Sequence, residues 1–259
     1  METQSKQAPV AVVTGASRGI GAAIATELAR QGFEVVLLAR DEAALTRLQE
    51  RLTAAGGRVW PLACDLADEG AVGVALSRLE AKLGVPRVLV NNAGVGGPFH
   101  RVDEVSAAEW EQLFDVNVKG VRNLCQWALP RMKAQGYGRI VNIASIMGLF
   151  GGAQSSTYAA TKHAVVGYSK AIAAEWGAYG ITCNALCPGY IDTEMLAKAD
   201  PAVRARLLER IPVKRFGTPE EVAGMVSFLV GPFSGYVNGS AVVMDGGLSA
   251  HLASDLPAF

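Results

Sequence analysis

Seven apolar runs of strand length alternate with helix-period segments along this chain, and that alternation narrows the available folds more than any other feature. The runs are Val10–Val13, Glu34–Ala39, Val59–Ala63, Val88–Val90, Ile140–Ile143, Ile181–Leu186 and Ala241–Met244. Between them, apolar residues recur with the spacing of one helix face, as in Ile20, Ile24 and Leu28, or Val72, Leu76, Leu79 and Leu83. Ser106 and Glu109 read as a capping box opening a long helix through Trp110, Phe114 and Leu124. A further helix is expected over Tyr158–Trp176, and Asp200-Pro201 and Thr218-Pro219 read as helix starts. Strands this continuously apolar are covered on both faces. The expected fold is therefore α/β: a doubly wound Rossmann fold, one seven-stranded parallel sheet with helices on both faces. No linker or repeat divides the 259 residues, so a single domain over 1–259 is expected. The stretch 189–217 follows a strand at the ligand-binding edge of such a sheet and is a candidate lid.

Composition closes off several classes of function. Half the residues are hydrophobic, and 24 basic residues balance 24 acidic ones. No net charge draws the chain to nucleic acid or an anionic membrane. No apolar run reaches the roughly 18 residues that cross a bilayer. Met1 to Pro9 is polar and lacks the apolar core of a secretory signal, so a cytoplasmic protein is expected. Three histidines and four scattered cysteines form no metal-ligand spacing, so no metal is expected.

The turn after the first strand carries the first chemistry. Gly15, Ser17, Arg18, Gly19, Ile20 and Gly21 form a glycine-rich link into a helix. Such a link lets the backbone approach a pyrophosphate, and the helix start offers free N–H groups. The same residues fit Gly-x-Ser-x-Gly, a nucleophile elbow with Ser17, His251 and Asp192 or Asp245 as partners. That reading lacks a sheet before the elbow. Arg40 follows the second strand where an acidic residue would accept from a ribose 2′-hydroxyl. With Arg18 it favours a 2′-phosphate, and hence NADPH/NADP over NAD, although Asp41 stands beside it.

Tyr158 and Lys162 lie four residues apart, on one helix face, with Ser145 at the end of the fifth strand and Asn117 in the long helix. Together with the glycine-rich turn, Asp65, Asn91-Asn92-Ala93-Gly94, Pro188-Gly189 and Asp245-Gly246-Gly247, this order and spacing resembles the short-chain dehydrogenase/reductase family from end to end. The resemblance implies a nicotinamide-dependent oxidoreductase with Tyr158 as acid, Lys162 as its supporting cation and ribose ligand, Ser145 on the carbonyl oxygen, and Asn117 holding a water. It also implies that Asp65 and Leu66 meet the adenine, and that Asn91, Ala93 and Gly94 lie along the ribose side. Pro188, Gly189, Ile191 and Thr193 would meet the carboxamide and phosphates.

Within that family the chain is similar to 3-oxoacyl-(acyl-carrier-protein) reductases and aromatic polyketide ketoreductases, notably over Pro188–Met195 and Ile211–Gly217. The implied substrate is a small-molecule ketone or a 3-oxoacyl thioester, linked to coenzyme A or an acyl carrier protein. The arginines with which such reductases dock the carrier stand here as Gly136 and Tyr179, with Arg131, Lys133 and Arg139 nearby. Phe99, His100, Met147, Phe150, Gln154, Tyr190, Met195 and Leu196 are the expected pocket residues. A secondary-alcohol dehydrogenase and a non-catalytic dinucleotide sensor are the alternatives; the intact Asn117, Ser145, Tyr158 and Lys162 count against the sensor. Long helices with apolar residues on more than one face, and a tail over 248–259 ending in Leu256-Pro257-Ala258-Phe259, leave apolar surface for a second partner, and the resemblance implies a homotetramer.

Overall fold

The computed structural model describes residues 8–97 and 99–250. Seven strands form one parallel sheet in the order β3-β2-β1-β4-β5-β6-β7. They are β1 (Val10–Thr14), β2 (Glu34–Ala39), β3 (Arg58–Ala63), β4 (Val88–Asn91), β5 (Gly138–Ile143), β6 (Ile181–Pro188) and β7 (Ala241–Met244). The chain starts in the middle of the sheet, winds outward to β3, then returns to β4 on the other side of β1. That reversal opens a crevice above the C-terminal ends of β1 and β4, where ligands of doubly wound sheets bind.

Alternation within each strand feeds two helical layers. Val10, Val12, Val36 and Leu38 face one core with α3 (Glu69–Leu83), α5 (Gly120–Gln135) and α6 (Ser156–Trp176). Ala11, Val13, Val35 and Leu37 face the other, with α1 (Gly19–Arg30), α2 (Glu42–Ala54) and α9 (Pro219–Val230). The expected seven-stranded architecture is therefore the observed one.

The long helix expected after Ser106 is two helices. The Ser106–Glu109 capping box opens α4 (Ala107–Phe114), and a π-helical turn over Asp115–Lys119 joins it to α5. The wider turn contains Asn117 and is the kind of local irregularity that recurs at functional sites. The expected lid holds two short helices, α7 (Glu194–Ala197) and α8 (Pro201–Arg210). Its base is pinned by Asp192 N–H donating to Gly217 O at 2.8 Å and Gly217 N–H donating to Tyr190 O at 3.0 Å. His251 and the tail residues 251–259 lie outside the described residues. Among the described residues no helix is long and apolar enough to cross a membrane, and no group of ligands is arranged for a metal. All four cysteines are free and buried.

Candidate active site

The glycine-rich turn is built by close approach. A Cβ on Gly15 would stand 2.8 Å from Asn92 Nδ2 and 2.9 Å from Ala93 Cα, and one on Gly21 would stand 2.2 Å from Gly15 O. Gly15 also takes φ +63°, which side chains on L-residues disfavour. Thr14 explains the closeness: its Oγ1 accepts from the N–H of both Asn92 and Ala93 at 2.9 Å, while Asn92 Nδ2 donates to Thr14 O. Helix α1 begins at this turn with no side-chain cap and no acidic residue in its first turn. Its free N–H groups and positive end suit a pyrophosphate, and the cradle would be filled by any Cβ. The residues present therefore fit a dinucleotide.

Arg18 and Arg40 are both exposed beside the turn. Asp41 caps α2, accepting from Ala44 N–H at 2.9 Å, so its carboxylate is committed. Asp65 is exposed and accepts from Ala67 N–H, whereas the Leu66 side chain is buried. Thr193 hangs over the turn, its methyl 3.5 Å from where a Cβ on Gly19 would lie. The Asn91 side chain turns into the sheet. It is buried and donates to Asn142 Oδ1 at 2.8 Å, so only the Asn91 main chain is left to face a ribose.

On the other side of the crevice, β5 delivers Ser145 and α6 delivers Tyr158 and Lys162. Lys162 is buried, and its Nζ donates to Ile143 O at 2.9 Å and lies 5.6 Å from the Tyr158 ring centroid. Burial pulls the Lys162 ammonium down from 10.5 to about 8. The Tyr158 phenol moves the other way: burial raises it, and a hydrogen bond with Ser145 partly offsets the rise.

Asn117 clamps the loop after β4. Val95 N–H donates to Asn117 Oδ1 at 2.8 Å, and Asn117 Nδ2 donates to Val95 O at 3.0 Å and to Thr161 Oγ1 at 3.2 Å. Its carboxamide is thus engaged by Val95 and Thr161. Gly94 is hemmed in by this clamp: a Cβ there would lie 3.2 Å from Asn117 Oδ1 and 3.5 Å from Lys162 Nζ. Sequence reasoning gave no role to Thr14, Asn92 or Thr161. All three act by gripping main chain or a carboxamide, and no periodicity or spacing marks such contacts.

The expected pocket residues are only partly brought together. Gln154, at φ +60°, shares a small cavity with Gly97, His100 and Tyr158. His100 Nδ1 lies 3.5 Å from Glu109 Oε1. Phe99 and Phe150 are exposed, Met147 and Tyr190 are half-buried, and Met195 is placed only by its position in α7. The elbow reading finds no support in its acids: Asp245 accepts from Gly247 and Ser249 N–H within its own turn, and Asp192 pairs with Arg204.

A family model described as enoyl-(acyl carrier protein) reductase matches residues 15–249. The chain belongs to the short-chain dehydrogenase/reductase family. It is an oxidoreductase acting on CH–OH or C=O groups with a nicotinamide dinucleotide. Curated relatives of similar identity carry different names. 3-Oxoacyl-(acyl-carrier-protein) reductase FabG of Pseudomonas aeruginosa is 38% identical over 94% of this chain and 98% of that protein. Cis-4-hydroxycyclohexanecarboxylate dehydrogenase of Sinomonas cyclohexanicum is 39% identical over 93% of this chain and 96% of that one. Among solved structures, a single-substitution variant of actinorhodin polyketide ketoreductase with NADPH aligns at TM-score 0.89 and 34% identity, over 97% of this short-chain dehydrogenase/reductase and all of that chain.

Proposed function

We propose that this enzyme is an NADPH-dependent carbonyl reductase whose substrate is a 3-oxoacyl thioester, linked to coenzyme A or a carrier protein. One observation carries the chemistry: Ser145 and Lys162 converge on Tyr158, Ser145 through a hydrogen bond to its hydroxyl and the Lys162 ammonium 5.6 Å from its ring. A phenol that keeps its proton at neutral pH is a general acid, and carbonyl reduction needs one. When bound, the reduced nicotinamide supplies the hydride. Tyr158 donates its hydroxyl proton to the carbonyl oxygen, and Ser145 hydrogen-bonds that oxygen as charge gathers on it. Lys162, still cationic below about pH 8, stabilises the resulting phenolate and holds the nicotinamide ribose. The Asn117 main chain holds a water on the path that returns a proton to Tyr158.

Gly15, Ser17, Gly19, Ile20 and Gly21 hold the pyrophosphate, and Arg18 and Arg40 the 2′-phosphate. Asp65 and Leu66 bind the adenine. The Asn91 main chain, Ala93 and Gly94 line the ribose side; Pro188, Gly189, Ile191 and Thr193 meet the carboxamide and phosphates. Phe99, Met147, Phe150, Gln154, Tyr190 and Met195 form the substrate pocket, under a lid over 189–217.

Of the three cations near the carrier-docking positions, only Lys133 is exposed and without a carboxylate partner among the described residues, its Nζ lying over the Tyr179 ring. Arg139 is 8% exposed with Nη1 donating to Gly138 O and Gly180 O, and Arg131 is paired with Glu80 at 2.8 Å. Coenzyme A is the better-supported thioester. The second reading, a secondary-alcohol dehydrogenase, is favoured by the relative named for a cyclohexane alcohol. Two apolar faces support a homotetramer: Trp110, stacked on Phe114 on α4, and Phe228, Phe233, Tyr236 and Val243 beside the edge strand β7.

A kinetic panel on protein of measured mass tests the proposal. Acetoacetyl-CoA should be turned over with a kcat/KM at least about ten-fold above that of a cyclic ketone, by a species about four times 27.1 kDa in light scattering. A preference for the cyclic ketone would favour the second reading, and full activity in a 27.1 kDa species would remove the tetramer.

A further inference from the structure

Arg18 is not a free cation in this enzyme. Its Nη1 lies 3.9 Å from Glu194 Oε2, in the first turn of the lid helix α7. Among the described residues this is the one ion pair that joins the lid to the glycine-rich turn. The backbone beneath Glu194 is held, which keeps its carboxylate within reach of Arg18. The Thr193 methyl lies 3.5 Å from where a Cβ on Gly19 would stand, Asp192 N–H is bonded to Gly217 O, and Arg204 Nη2 holds Asp192 Oδ1 at 3.3 Å. The lid root therefore keeps a carboxylate at the very guanidinium that faces an incoming phosphate.

We propose that Glu194 tunes cofactor selectivity: its carboxylate shares Arg18 with the 2′-phosphate and weakens NADPH binding more than NADH binding. This rests on the reading that Arg18 meets that phosphate. A phosphate arriving at Arg18 must either displace Glu194 or bind beside a like charge, and both oppose binding. NADH brings no charge to that position and loses nothing there. The asymmetry of the surroundings sharpens the effect. The first turn of α1 has no acidic residue, and Asp41 is committed to capping α2, so Glu194 is the carboxylate seen on Arg18 among the described residues.

The size follows from exposure. The two side chains are 73% and 71% exposed, so solvent screens the pair and the effect is bounded at roughly five-fold in affinity. Removing an acid on the lid is thus expected to improve binding of the larger, more charged cofactor, the reverse of what loss of a contact residue does.

The test is direct binding, read by quenching of protein fluorescence on the full chain without ketone. Glu194→Gln should lower the Kd for NADPH about two- to five-fold and leave the Kd for NADH unchanged, with the difference shrinking as salt is raised. Arg18→Ala should raise the Kd for NADPH, and Glu194→Gln added to it should have a smaller effect than Glu194→Gln alone. If Glu194→Gln moves both cofactors equally, or neither, while Arg18→Ala weakens NADPH, the proposal is overturned and the phosphate reading stands. If Arg18→Ala leaves NADPH binding unchanged, the phosphate reading fails and takes the proposal with it.

Discussion

Tyr158→Phe should lower kcat by about 10²- to 10⁴-fold, the usual cost of losing a general acid. The substitution removes one oxygen. It leaves the ring in place beside Lys162 and does not touch the glycine-rich turn. Cofactor affinity should therefore stay within about two-fold of the unmodified enzyme, and thermal stability should fall little, because the lost hydrogen bond with Ser145 is worth about 1 kcal/mol. Stopped-flow or steady-state rates with a 3-oxo substrate, paired with cofactor titrations, give both numbers. A variant that keeps more than about half of its rate would remove Tyr158 from the role of acid.

Lys162→Met is the second large effect, and it has two opposite signs. Activity should fall at least about 10²-fold, since the cation that supports the phenolate is gone. Stability at neutral pH should rise. The ammonium is buried and its folded pKa is depressed from 10.5 to about 8, so folding expels a proton between those values. The penalty is complete below about pH 8 and is relieved as pH climbs toward 10.5. It amounts to roughly 3 kcal/mol, from which the bond to Ile143 O returns about 1. Methionine fills the same volume without charge. The variant should melt several degrees higher at pH 7, and its advantage should fade by about pH 10. Melting curves across pH decide it: a variant less stable at pH 7, with a gap that does not vary with pH, would mean the ammonium is not held at a desolvation cost.

These two side chains also show what a sequence carries and what it does not. The strands are legible because burial on both faces leaves unbroken apolar runs, and β1, β2 and β7 fall within a residue of where those runs lie. The order Ser145, Tyr158, Lys162 is legible because one helix turn separates the last two and the end of a strand fixes the first. Asn117 falls in a helix by its pattern, but nothing in the sequence marks the π-helical turn around it, because local propensity does not distinguish that turn from an ordinary one. The orientation of the Asn91 side chain is illegible for a different reason. A residue at a strand end can face the crevice or the sheet, and the pairing with Asn142 on β5 settles the choice only once β4 and β5 are neighbours. The direction of the Tyr158 shift is illegible too. It is a contest between desolvation and the hydrogen bond with Ser145, and depth of burial exists only in the folded chain.

NADPH selectivity and carbonyl reduction meet in one measurement: initial rates of cofactor oxidation by acetoacetyl-CoA, with NADPH and NADH compared on the unmodified enzyme. The account predicts turnover with kcat/KM at least about ten-fold higher for NADPH, because Arg18 and Arg40 meet a phosphate that NADH lacks. Equal or better rates with NADH, or no oxidation of either cofactor by the thioester, would contradict it.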